Sequence, residues 1–175
     1  MTVEETARHV RNVFAPQCQT RADTTMSNAS AAPALKMSAE EITAFLDTEF
    51  PQIHLGGRSF LIEEVAPMAA RMRMLYHERH IRPGGTISGP AMMSLADLAL
   101  YVAILAQLGP VALAVTTNLN LNFMRKPAQR DLIAECRLLK LGRTLAVGDV
   151  AIRSDGEGEM VCHATGTYAI PPAGQ

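Results

Sequence analysis

The sequence predicts an α+β domain in which a curved antiparallel sheet wraps around one central apolar helix. Three observations predict it. The stretch from Ala91 to Ala106 is apolar nearly all round, through Met92, Met93, Leu95, Leu98, Leu100, Val102, Ile104 and Leu105, so it is a helix with no solvent face. Two strand-like segments precede it and four follow, separated by turn residues. No other helical segment is long enough to bury the central one on all sides, which leaves the sheet to do so. Such a sheet has a free edge, and a free edge favours pairing with a second copy of the chain.

Taken in order, residues 1–37 read as a flexible N-terminal extension. Val3, Ala7, Val10 and Phe14 suit a short amphipathic helix, followed by an Ala, Ser and Thr-rich run without period. The domain spans 38–171, and 172–175 is a tail. Ser38 and Glu41 form a capping-box pattern ahead of Ile42, Phe45 and Leu46, which predicts a helix over 39–49 ended by Pro51. Phe60 to Ala66 and Met68 to Tyr76 read as strands, the second with Arg71 and Arg73 alternating against Met72 and Met74. The turn-rich run Gly84 to Ile87 leads to Ser88, a helix cap, with Gly89 and Pro90 in the first turn, where Pro is tolerated. Strands then follow over 111–124, 132–141, 144–153 and 159–170. In the first, Leu119, Leu121 and Phe123 face one way and Asn118, Asn120 and Asn122 the other.

Several function classes are disfavoured. A net charge of −1 gives no basic excess for nucleic acid, and the absence of Trp removes a stacking platform. The apolar run is shorter than the ~20 residues a bilayer span needs and carries an acid near its centre. Cys18, Cys136 and Cys162 make no paired or metal-binding spacing. With no secretory pattern at the N-terminus, the expectation is a cytoplasmic protein. His77 and His80 supply two ligands where a zinc site needs three or four, so no metal is expected there.

Asp97 is the only charged residue between Arg82 and Arg125. A lone carboxylate in an apolar helix is costly unless paired, protonated or reached by a wet cleft. It is therefore the leading functional candidate. The competing reading is a structural acid that hydrogen-bonds a neighbouring strand.

The run Gly85 to Asp97 (GTISGPAMMSLAD), then Val115 to Met124 (VTTNLNLNFM), then Gly142 to Leu145 (GRTL), resembles the hot-dog-fold acyl-CoA thioesterases of the phenylacetate-pathway, PaaI-like type. The resemblance covers roughly residues 52–170. It implies a hot-dog fold and hydrolysis of an acyl-CoA by a homodimer or homotetramer, with CoA as part of the substrate and no other cofactor. By position it makes Asp97 the general base or nucleophile. It makes Gly89 the residue whose backbone N–H polarises the thioester carbonyl, and Thr116 a hydroxyl that helps place the water or carboxylate. In this family Asp and Gly come from opposite subunits.

Two positions depart from the family pattern. Arg82 stands where the family has Asn, and Ser88-Gly89-Pro90 where it has His-Gly-Gly. Arg82, Ser88 and Met93 are candidate substrate contacts, with Met92 and Tyr101 as further pocket lining. Arg125, Lys126, Arg130 and Arg143 are candidates for the CoA phosphates. The alternatives are a non-catalytic acyl-CoA-binding or regulatory hot-dog protein and, from the weak echo at Pro83-Gly84, a hydratase or dehydratase.

Overall fold

The computed structural model describes residues 34–172. The expected helix over 2–14, Cys18 and nearly all of the extension lie outside the described residues. At the near end Lys36 N–H already donates to the Ala106 carbonyl at 2.8 Å, and Met37 is buried.

Helix α1 (Ala39–Glu49) begins as its sequence requires. Ser38 Oγ accepts from Glu41 N–H at 3.2 Å, while Glu41 Oε2 accepts from Ser38 N–H at 2.8 Å. Ile42 and Leu46 are buried beneath it. Pro51 ends the helix and opens a 3-10 turn, Pro51–His54.

The sheet contains strands β1 (Phe60–Ala66), β2 (Ala69–Met74), β5 (Val115–Phe123), β6 (Leu132–Leu141), β7 (Leu145–Ser154) and β8 (Met160–Ala169). Its order is β1-β2-β6-β7-β8-β5, antiparallel throughout. Two further short strands, β3 (Ile81–Arg82) and β4 (Thr86–Ile87), pair as a hairpin that sequence periodicity is too short to reveal. Gly84 and Gly85 turn it at φ of 95° and 71°, a region open to glycine at little cost. The expected strand over 68–76 is shorter at both ends. Pro67 and Met68 form the β1–β2 turn, Met68 at φ 59°, and Tyr76 N–H is drawn off to Asp131 Oδ1. The expected strand over 111–124 likewise starts only at Val115.

Helix α2 (Gly89–Leu108) lies on one face of this sheet, with Leu95, Ala99, Val102, Ala103 and Ile104 fully buried. It runs to 20 residues, and an 18-residue window within it has a mean hydropathy of 1.7, so length and composition alone do not exclude a membrane span. The enclosing sheet accounts for its apolar surface instead. Gly148 and Gly166 are register partners across β7 and β8, and together they leave a hollow in the sheet. Leu100 fills it, with one methyl over each glycine. That seat fixes how closely α2 approaches the sheet. The opposite sheet face is charged: Arg71 and Arg73 bridge Glu63, Glu135, Asp131 and Asp155, and Arg153 joins Glu135.

Candidate active site

Ser88 Oγ accepts from Ala91 N–H at 3.4 Å and so starts α2. Its neighbour Pro90 has no N–H, which leaves Gly89 as the first-turn donor without an acceptor among the described residues. Asp97 follows two turns later. It is half-buried, and its Oδ1 accepts from Thr116 Oγ1 at 2.6 Å and from Tyr168 Oη at 2.7 Å. Oδ2 has no hydrogen-bond donor among the described residues.

The two hydroxyls converge for a reason of register. Thr116 and Tyr168 are direct cross-strand partners of β5 and β8, so their side chains share a face. A bulge between Thr116 and Asn118 puts that face toward the helix. Strict alternation would place Thr116 with Asn118, Asn120 and Asn122 on the outside; the extra residue reverses the parity. Beyond it Leu119 and Leu121 pack inward as expected, and the three Asn are exposed. Phe123 keeps the row of Leu119 and Leu121, its ring reaching Gly89 at the start of α2, but at the end of the strand it is half exposed.

Asp97 is not sealed. It lines a cavity of about 650 Å³ together with Thr116, Tyr168, Tyr101, Phe50, Ile53 and Phe60. Tyr101 and Tyr168 stack there, their rings 6.2 Å apart and 7° from parallel. Burial pushes the Tyr168 hydroxyl well above its ordinary pKa, and the negative charge of Asp97 adds to the effect. Burial likewise raises Tyr101.

A second cleft of about 400 Å³ holds Gly89 with Arg82, Met92, Phe123, Arg125 and Lys126. A Cβ at Gly89 would stand 3.1 Å from the Phe123 ring, so a side chain there would have to displace the ring by a few tenths of an ångström. Arg125 is bridged to Glu159 at 3.0 Å, both exposed. Gly89 and Asp97 therefore line different cavities, about 12 Å apart along one helix.

The remaining candidates scatter. Met93 is exposed on α2, Arg143 lies in the β6–β7 turn, and neither lines either cavity. Arg130 donates to the Asp155 carbonyl. His77 Nδ1 accepts from Arg79 N–H and caps the 3-10 turn Glu78–His80. Among the described residues no three His, Cys, Asp or Glu side chains converge as metal ligands. Tyr168 and Phe50 were not singled out from sequence. Tyr168 carries one weak signal, a hydroxyl on the inward row of β8 otherwise made of Cys162, Ala164 and Gly166.

Comparison with known proteins gives the same family. The Thioesterase superfamily profile matches residues 84–161. A candidate thioesterase of known structure from Silicibacter sp. TM1040 is 49% identical, over 81% of this chain and 97% of that one, with a TM-score of 0.74. A candidate esterase from Saccharolobus solfataricus is 26% identical over 77% of this chain and 80% of its own length. A mutant of the phenylacetic acid degradation protein PaaI from Thermus thermophilus shares the fold at a TM-score of 0.60 and 24% identity, covering 69% of this chain and 99% of that one. With the central helix, the wrapping sheet and this likeness together, the chain belongs to the thioesterase superfamily and has its hot-dog fold.

Proposed function

We propose that this chain hydrolyses an acyl-CoA thioester at a site completed by a second copy of itself. One observation carries the reading: Asp97 lines an apolar cavity, with Oδ1 held by two hydroxyls and Oδ2 without a donor among the described residues. Oδ2 either removes a proton from water as it adds to the acyl carbon, or adds to that carbon itself before water releases the acid. In both routes the C–S bond breaks, CoA leaves as the thiol after taking a proton, and the water oxygen ends in the product acid.

The tetrahedral oxygen needs a donor, and Gly89 N–H at the positive end of α2 suits it. Since Gly89 and Asp97 of one chain line separate cavities, the reaction centre takes one from each of two copies. The outer edge of β5 has no partner strand among the described residues, and it carries exposed Val115 and Phe123. Pairing of that edge with its own copy is the natural route to a dimer. Arg82, Arg125 and Lys126 surround Gly89 and suit the CoA phosphates, while Phe50, Ile53, Phe60 and Tyr101 suit the acyl group.

The test is release of free thiol from acetyl-, hexanoyl-, decanoyl- and benzoyl-CoA by the purified full chain. Asp97→Asn is expected to lower kcat on the order of 10²- to 10⁴-fold while sedimentation still reports the wild-type assembly. Undiminished turnover in that variant ends the catalytic assignment of Asp97. Saturable binding of these thioesters by wild type without thiol release would instead establish a binding protein.

A further inference from the structure

We infer that Tyr168 is the positioning residue of this site: its hydroxyl holds Asp97 so that Oδ2 alone addresses the substrate. The inference rests on the reading that Asp97 carries the reaction. Tyr168 Oη stands 2.7 Å from Oδ1 and 2.9 Å from the main-chain carbonyl of the same residue. A phenol has one proton to donate. That proton is shared between two acceptors on one residue, which ties the carboxylate to its own backbone and restricts rotation about the Cβ–Cγ bond. Thr116 donates to the same Oδ1.

The two donors differ in stiffness. Thr116 is exposed on the edge strand. Tyr168 is 4% exposed, and its ring stacks on Tyr101, one helical turn beyond Asp97. Leu100, seated between Gly148 and Gly166, holds the same turn of α2 at a fixed height above β8. The phenol thus reports the position of the sheet to the carboxylate of the helix. A carboxylate with one oxygen held and the other free has a defined direction of attack, and misplacement of a reacting group by about 1 Å can cost 10²-fold in rate. Burial and the Asp97 charge keep the Tyr168 hydroxyl protonated, so it remains a donor throughout the range in which a thioester assay is run.

Tyr168→Phe keeps the ring and its stack and removes only the oxygen. With the acyl-CoA that wild type turns over best, kcat is expected to fall on the order of 10- to 100-fold. KM should stay within about twofold and the melting temperature within about 5 °C, since one neutral donor is lost from an otherwise intact core. In an Asp97→Asn background the same substitution should change kcat no further. A purely structural tyrosine would show the opposite split, with a lowered melting temperature and unchanged kcat, and that outcome overturns the inference. Wild-type kcat in Tyr168→Phe beside an inactive Asp97→Asn sinks the Tyr168 role alone. Retained activity in Asp97→Asn, or no turnover of any of the four thioesters by wild type, removes the underlying reading and the inference with it.

Discussion

Alanine at Gly148 tests whether the glycine hollow sets the height of α2. A Cβ there would stand 2.7 Å from Leu100 Cδ2, 2.9 Å from the Arg137 carbonyl oxygen and 3.2 Å from Leu138 Cδ2. Carbon contacts are comfortable near ~3.5–4.0 Å, so the Leu100 methyl must retreat by about 1 Å. The carbonyl belongs to strand β6 and cannot retreat alone. Overpacking of this kind costs about 1–3 kcal/mol, and the backbone entropy recovered by replacing glycine offsets about 0.5–1 kcal/mol of it. A net loss of about 1–2 kcal/mol lowers the melting temperature by roughly 2–8 °C in a domain of this size. Because Leu100 lies one turn beyond Asp97, α2 lifts where Asp97 meets Tyr168, and kcat measured well below the melting temperature should fall as well. Gly166→Ala collides with the movable Leu100 methyl, while Leu119 Cδ1 and the Asn118 oxygen stand off at 3.3 and 3.5 Å. It should therefore be the milder change. Combining either alanine with Leu100→Ala should cost less than the sum of the single changes, because the two substitutions share one space. A Gly148→Ala chain that melts at or above wild type, with unchanged kcat, would refute the idea that Leu100 sets the helix height.

Two further outcomes follow from the rest of the molecule. The hydrogen bond from Arg73 holds the Asp155 carboxyl below the usual range. A depressed carboxylate adds stability that is complete above its unfolded value of ~3.9 and disappears as pH falls through its folded value. Asp155→Asn should thus lower the melting temperature slightly at pH 7, by an amount that shrinks as the pH falls below ~3.9. Half-exposed as Asp155 is, added salt should shrink the gap at pH 7; a gap independent of both pH and salt contradicts the ion-pair account. Ser38→Ala breaks the capping box of α1 and should cost about 1 kcal/mol, or about 2–4 °C of melting temperature, without touching kcat. An unshifted melt would show that packing of Ile42 and Leu46 alone holds the helix.

How much of this was legible in the chain depends on range. Local rules delivered the capping box at Ser38, the start of α2 at Ser88 and the inward row of Met72 and Met74, because each is decided within a few residues of itself. The resemblance around Gly85 to Asp97 carried the hot-dog fold. The β3–β4 hairpin was out of reach, since two-residue strands have no periodicity to read. Arg143 and Met93 have the charge and the apolar character of contact residues, yet they line neither cavity, because distance from a cleft is not encoded in residue type.

The amino-acid order by itself determined that one helix must be enclosed, that the enclosing elements are strands, and that a single acid is carried into the enclosure. Burial of apolar surface and backbone hydrogen bonding settle those points, and both are written in local pattern. Only the tertiary structure decided what the acid meets. Thr116 reaches Asp97 because one extra residue in β5 reverses the parity of its side chains, and Tyr168 reaches it because β8 pairs with β5 in one particular register. Register and bulges depend on strands far apart in sequence, so no window of the chain contains them.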